Sequence, residues 1–186
     1  ATKLAELQLP YVEARFQRTG VTMLYTVPWP PSGIYSNVPV ESVETLRGTK
    51  MRTYNPLTNR FAALCGATAT LVQSAEVPQA FSTGMIQSLW TSAQTGTDVK
   101  AWEYTKHFTY TGTMHNKNAI IVNERAFRAL DPAVQKIVTE AGAAATKRGF
   151  ELSKKASEER EKILKDNGMT ASPAPKEIMD RIAAIG

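Results

Sequence analysis

Apolar positions recur along this chain with two periods, and the switches between them mark out alternating helices and strands. Thr2 to Arg18 carries Leu4, Leu7, Val12 and Phe16 at helical spacing, with Pro10 predicting a bend and Gly20 a stop. Val21 to Val27 (VTMLYTV) is rich in β-formers and predicts a buried strand. Pro28 to Gly33 follows as a rigid, proline-fixed loop that can hold Trp29 in a set place. Ser42 to Arg47 predicts a short capped helix stopped at Gly48, and the next strand delivers Arg52 to its C-terminal end. After a polar turn, Leu57 to Cys65 predicts a helix and Ala69 to Val72 a strand. A helix capped by Ser74 then runs to about Thr83 and ends at Gly84. Met85 to Leu89 predicts another strand, which would hand Trp90, Thr91 and Ser92 to a loop. Such alternation implies a parallel or mixed α/β sheet.

Two further strands are predicted, His107 to Met114 and Ala119 to Asn123, with Asn116 to Asn118 as the turn between them. Glu124 to Leu130 reads as a short helix. Asp131 and Pro132 then open a long one, aspartate as cap and proline at the first helical position. Val134, Ile137, Val138, Ala141 and Ala145 keep helical spacing, and the pattern runs to Asp166 before Asn167 and Gly168 close it. Gly142 and Gly149 should weaken its middle by roughly 1 kcal/mol each relative to alanine. Lys176 to Ile185 predicts a last short helix. There is no internal repeat and no low-complexity segment.

Composition changes this picture little. The chain has 186 residues, 42% of them hydrophobic, enough for one good core or two small ones. No apolar run approaches the roughly 20 residues that span a bilayer. Ala1 to Gln8 lacks the basic start and apolar stretch of a secretory signal, and a chain opening on alanine is expected to be processed or truncated. The net charge is +5, yet the basic residues are spread out. Their densest run, Lys147 to Asp166, interleaves seven with five acidic residues, and Glu151–Lys155, Glu158–Lys162 and Glu161–Lys165 fall at i,i+4. That is a solvated helix face, and no nucleic-acid partner is expected.

Catalysis needs a base, a nucleophile or a metal cage. His107 and His115 would sit roughly 26 Å apart on one extended strand, too far to share a metal. No paired-cysteine, His-Glu-x-x-His or glycine-rich phosphate motif is present, so no metal or cofactor is expected. Cys65, the lone cysteine, sits among small and apolar residues as a buried thiol would. The alternative readings are an enzyme using Cys65 or His107/His115, or a fragment that only self-associates. Binding is better supported. Arg52, Asn55, Trp90, Thr91 and Trp29 all fall at strand ends or in the loops after them, where open α/β sheets bind ligands. The planar fork of a guanidinium fits a carboxylate.

Several stretches, in order, resemble the extracytoplasmic solute-binding proteins of TRAP transporters, the dicarboxylate-receptor type. They are Val43 to Arg52 (VETLRGTKMR), Gly66-Ala67, Glu76-Val77, Ala80-Phe81, Gly84, Trp102 to Tyr104, Ala119 to Asn123 with Ala126-Phe127, and Leu130 to Lys136. The resemblance implies a periplasmic-binding-protein-like two-lobe α/β fold with mixed sheets and a long lobe-spanning helix, here the one after Asp131. It implies a periplasmic receptor, signal peptide removed, that closes on an organic acid and hands it to membrane-embedded TRAP transporter subunits without chemistry. The arginine that grips the carboxylate would be Arg52, with Asn55 and Thr91 as polar contacts and Trp90 and Trp29 as walls. Val38 follows Ser36-Asn37 where sialic-acid receptors carry a second arginine, and Trp90 replaces a usual glutamate. Both departures favour a less polar acid.

Family members carry a further α/β segment before the first helix, so the resemblance implies that the N-terminal portion is missing. Residues 1–35 and 124–166 would then be the remnant of one lobe with the shared helix, and 36–123 and 167–186 the second. Uncovered sheet edges and apolar helix faces predict self-association of this piece, as a homodimer or by domain swapping.

Overall fold

The computed structural model describes residues 2–185. They fall into two compact units: the chain up to Trp29 with His115–Lys155, and Pro30–Met114 with the chain from Ala156 onward.

The first unit opens with α1 (Thr2–Gln17), which continues through Pro10 rather than breaking there. Its β1 (Val21–Pro28) pairs antiparallel with β7 (Lys117–Asn123) from Val21↔Asn123 to Pro28↔Lys117, with a register shift between Met23 and Tyr25. A short α5 (Glu124–Arg128) leads into α6 (Pro132–Asp166), capped by Asp131, whose carboxylate accepts the Ala133 N–H at 2.7 Å. The long helix is therefore as expected, and its Gly142 has a purpose that helix propensity hides. A Cβ there would meet the Leu24 carbonyl oxygen of β1 at 2.5 Å, so glycine permits helix and strand backbones to touch. The apolar stripe of α1 is not buried: Leu4 and Leu7 are 58% and 59% exposed.

The second unit holds a six-stranded mixed sheet in the order β4-β3-β5-β2-β6-β8. Its strands are β2 (Ser32–Ser36), β3 (Lys50–Thr53), β4 (Thr68–Leu71), β5 (Ser88–Ser92), β6 (His107–Tyr110) and β8 (Thr170–Pro173). β3 runs parallel to β4 and β5, through the crossover helices α2 (Pro56–Leu64) and α3 (Val77–Ser82). β2 is antiparallel to both neighbours, and β8 parallel to β6. Strand alternation sorts the core onto two faces. Ile34, Met51 and Trp90 join Val43, Leu46, Phe61 and, from α7 (Lys176–Ile185), Ile178 and Ile182. Tyr35, Leu89 and Phe108 join Leu164 of α6 and Ala93 of α4 (Ala93–Asp98) on the other face.

Several expectations need correction. β2 pairs with β5 and β6 while β7 pairs with β1, and the compact units change over at residues 30, 115 and 156. β6 and β7 are thus in different sheets and form no hairpin. β5 begins at Ser88, three residues later than read, because Met85 to Gln87 connect Gly84 (φ +67) to the sheet. Trp90 and Thr91 therefore lie within the strand, not in a loop after it. Ser42 to Arg47 is a 3-10 turn over Val43–Leu46 with no side-chain cap from Ser42. Ser74 opens another, Ser74–Glu76, where the Glu76 carboxylate accepts the Gln73 N–H at 3.2 Å. β2, β8 and α4 were not foreseen.

Gly142→Ala tests the close approach of α6 and β1. Propensity alone would make it stabilising by up to about 1 kcal/mol. The contact with Leu24 predicts the opposite sign, a loss of about 1–3 kcal/mol in urea unfolding.

Candidate functional site

Arg52 is the one charged residue among the described residues that is buried, at 4% exposure. β3 places it opposite Leu89 of β5, one residue past Met51 and so on the other face of the sheet. Its Nε donates to the Val72 carbonyl at 2.9 Å, and its guanidinium carbon lies 4.7 Å from the ring centre of Tyr54. Neither terminal nitrogen bonds a described residue, and no described carboxylate lies within ion-pair distance. Among the described residues no fully buried side-chain nitrogen or oxygen is left without a partner, so those nitrogens keep access to water. Burial lowers the pKa of the guanidinium, while Tyr54 and Tyr104 act the other way. Arginine stays charged regardless. A buried charge is ordinarily paired. This one presents its donor edge with nothing on it.

Thr91 shares the face of Arg52, two residues beyond Leu89 on β5. It is 5% exposed, and its hydroxyl bonds no described residue. Asn55 lies at the start of α2 and is occupied by its cap: Oδ1 accepts the Thr58 N–H at 2.8 Å and the Thr58 hydroxyl at 3.1 Å. Only its amide nitrogen is left to donate. Trp90 points to the face opposite Arg52 and packs against Phe61 at a tilt of 38°, ring centres 3.9 Å apart, with Nε1 donating to Thr111 Oγ1 at 3.4 Å. Its place is in the core. Trp29 belongs to the first unit, half-buried, with Nε1 donating to Asn118 Oδ1 at 3.1 Å. The structure therefore brings Arg52, Thr91 and Asn55 to one end of one sheet. Sequence reasoning missed Tyr54, although an aromatic two residues past a candidate arginine was a usable signal.

A cavity of about 620 Å³ opens at the other end of these strands, against Ser36, Thr49 and Ser88. It has size without a buried charge, whereas the buried cation stands at Arg52. Among the described residues no three His, Cys, Asp or Glu side chains are grouped to hold a metal. Burial pushes the Cys65 thiol up to about 11, with Arg181 acting in the opposite sense. A thiol so raised is protonated at neutral pH and is not a ready nucleophile.

A mixed sheet that offers an unpaired cation at its strand ends is suited to holding an anion. The chain belongs to the family described as bacterial extracellular solute-binding protein, family 7, whose model matches residues 10–185. Two structures from Bordetella pertussis, DctP7 and DctP6, are similar to it at 38% and 39% identity, each with a TM-score of 0.96. Both are described as extracytoplasmic solute receptors binding pyroglutamic acid. The likeness covers 99% of this chain and 61% of each of theirs. A marine metagenome TRAP solute-binding protein specific for pyroglutamate, solved with co-purified pyroglutamate, matches at 27% identity and a TM-score of 0.94. The chain thus spans about 61% of the length of the first two relatives. The family and the fold expected from the sequence are both met, and the family is one of solute receptors rather than enzymes.

The thiol gives a pH test. Because its folded pKa lies above the ordinary value near 8.5, its contribution to stability is present below that pH and is lost as pH rises toward 11. A disulfide reagent at pH 8 should label Cys65 only when the protein is unfolded. Rapid labelling of the folded protein at pH 7 would contradict the burial.

Proposed function

We propose that this chain is part of a periplasmic receptor that binds a small monocarboxylic acid of the pyroglutamate type for a TRAP-type secondary transporter. The observation that carries the proposal is the buried, unpaired guanidinium of Arg52. A carboxylate accepting from its two terminal nitrogens would supply the missing counter-charge with bidentate geometry. No second buried cation stands among the described residues to meet a second ligand carboxylate. That favours one carboxylate and an otherwise neutral body. The Bordetella receptors that bind pyroglutamic acid, at 38% and 39% identity, support the same class.

Thr91 Oγ1 and the Asn55 amide nitrogen are the polar groups we assign to the neutral part of the solute. Trp90 would support the site from the far face of β5. The two compact units are taken as counterparts of the two receptor lobes. Calorimetry on the intact receptor with pyroglutamate tests this reading. Arg52→Gln should weaken binding by about 100-fold or more, as loss of one member of a buried charge pair does. Binding at wild-type strength in a folded Arg52→Gln protein would overturn it.

The 186-residue piece taken alone we expect to self-associate, because Leu4, Leu7, Tyr11 and Ile137 leave apolar surface exposed in the first unit. Sedimentation velocity should show species larger than a monomer, increasing with concentration. A sharp monomer at high concentration would refute this.

A further inference from the structure

We infer that Tyr54 is the positioning residue of the carboxylate site, holding the Arg52 guanidinium by its face so that its edge stays open for the ligand. The inference rests on the reading of Arg52 as the carboxylate reader and adds how that cation is kept ready.

A buried guanidinium needs electrostatic compensation even while no acid is bound. A carboxylate from the protein would provide it, yet would occupy the same donor edge that a ligand carboxylate needs. An aromatic ring avoids the conflict. Its negative face attracts the flat face of the cation and leaves the edge unused. The Tyr54 ring centre lies 4.7 Å from the guanidinium carbon, within the range of such an interaction. The Val72 carbonyl takes Nε at 2.9 Å. These two contacts hold the guanidinium at its carbon and at Nε, and the terminal nitrogens are what remains.

Tyr54 is itself held. Its ring packs against the core cluster that contains Met51, Phe61 and Trp90. Its backbone N–H donates to Thr58 Oγ1 at 3.1 Å, and the Asn55 N–H shares that acceptor at 3.2 Å. Thr58 is buried and is the residue whose N–H the Asn55 side chain caps. The turn leaving β3, the first turn of α2 and the arginine are thus one connected assembly. An arginine side chain otherwise loses considerable rotamer freedom on meeting a ligand, and fixing it beforehand raises affinity.

The test compares pyroglutamate with its neutral carboxamide by calorimetry on the intact receptor, in wild type, Tyr54→Phe and Tyr54→Leu. Phenylalanine keeps the ring face, so its preference for the acid over the amide should stay within about threefold of wild type. Leucine removes it, and the preference should fall by about 3- to 30-fold. Unliganded melting temperatures report general damage, which would weaken acid and amide alike and leave their ratio unchanged. An unchanged ratio in Tyr54→Leu overturns the inference, as does a fall in Tyr54→Phe equal to that in leucine, since the hydroxyl would then be responsible. If the wild type itself shows no preference for the acid, the carboxylate reading of Arg52 fails instead.

Discussion

A buried cation with no counter-ion among the described residues is the constraint around which the second unit is built. Placing a guanidinium at 4% exposure removes most of its hydration, and no described carboxylate restores the loss. What the fold supplies is partial and directional: a carbonyl on Nε and an aromatic face beneath the plane. The remaining donors point where a ligand anion can complete the set. Such a residue is costly to the free protein, and the proposed ligand carboxylate would offset that cost.

The rest of the sheet follows from keeping that residue in place. β3 is an inner strand between β4 and β5, paired with β5 through Met51 and Arg52 and with β4 up to Thr53. Val72, which takes Nε, donates its own N–H to the Thr53 carbonyl, tying the acceptor to the strand that carries the arginine. Met51, on the other face, is fully buried against Ile34 and Trp90 and prevents the strand from rotating. The tryptophan expected to meet the ligand serves instead as the floor of that opposite face. Solvent contact and core packing can look alike in a sequence, because both favour large apolar side chains near strand ends.

How much was legible in the sequence divides along this physical line. Arg52 was recognisable because a strand pattern followed by a polar turn fixes where a strand ends, and α6 because Asp131, Pro132 and a long helical period agree. The parallel β3–β4–β5 unit was recognisable for the same reason. β2 was not. Ser-Gly-Ile-Tyr-Ser offers two apolar side chains, and its strand state depends on pairing with β5 and β6 and on Phe108 packing against Gly33, all distant in sequence. The start of β5 was misplaced for a related reason, since Ile86 is buried without being in the strand. Asn55 and Thr91 were both placed near the arginine, but only the structure distinguishes a side chain occupied by a helix cap from one with a free hydroxyl.

The most direct measurement of the central claim is a crystal structure of the intact receptor with pyroglutamate bound. The account predicts both terminal nitrogens of Arg52 at about 2.7–2.9 Å from the two carboxylate oxygens. Nε should remain on the Val72 carbonyl. A carboxylate seated elsewhere, with the Arg52 terminal nitrogens bonded only to water or to protein, would contradict it.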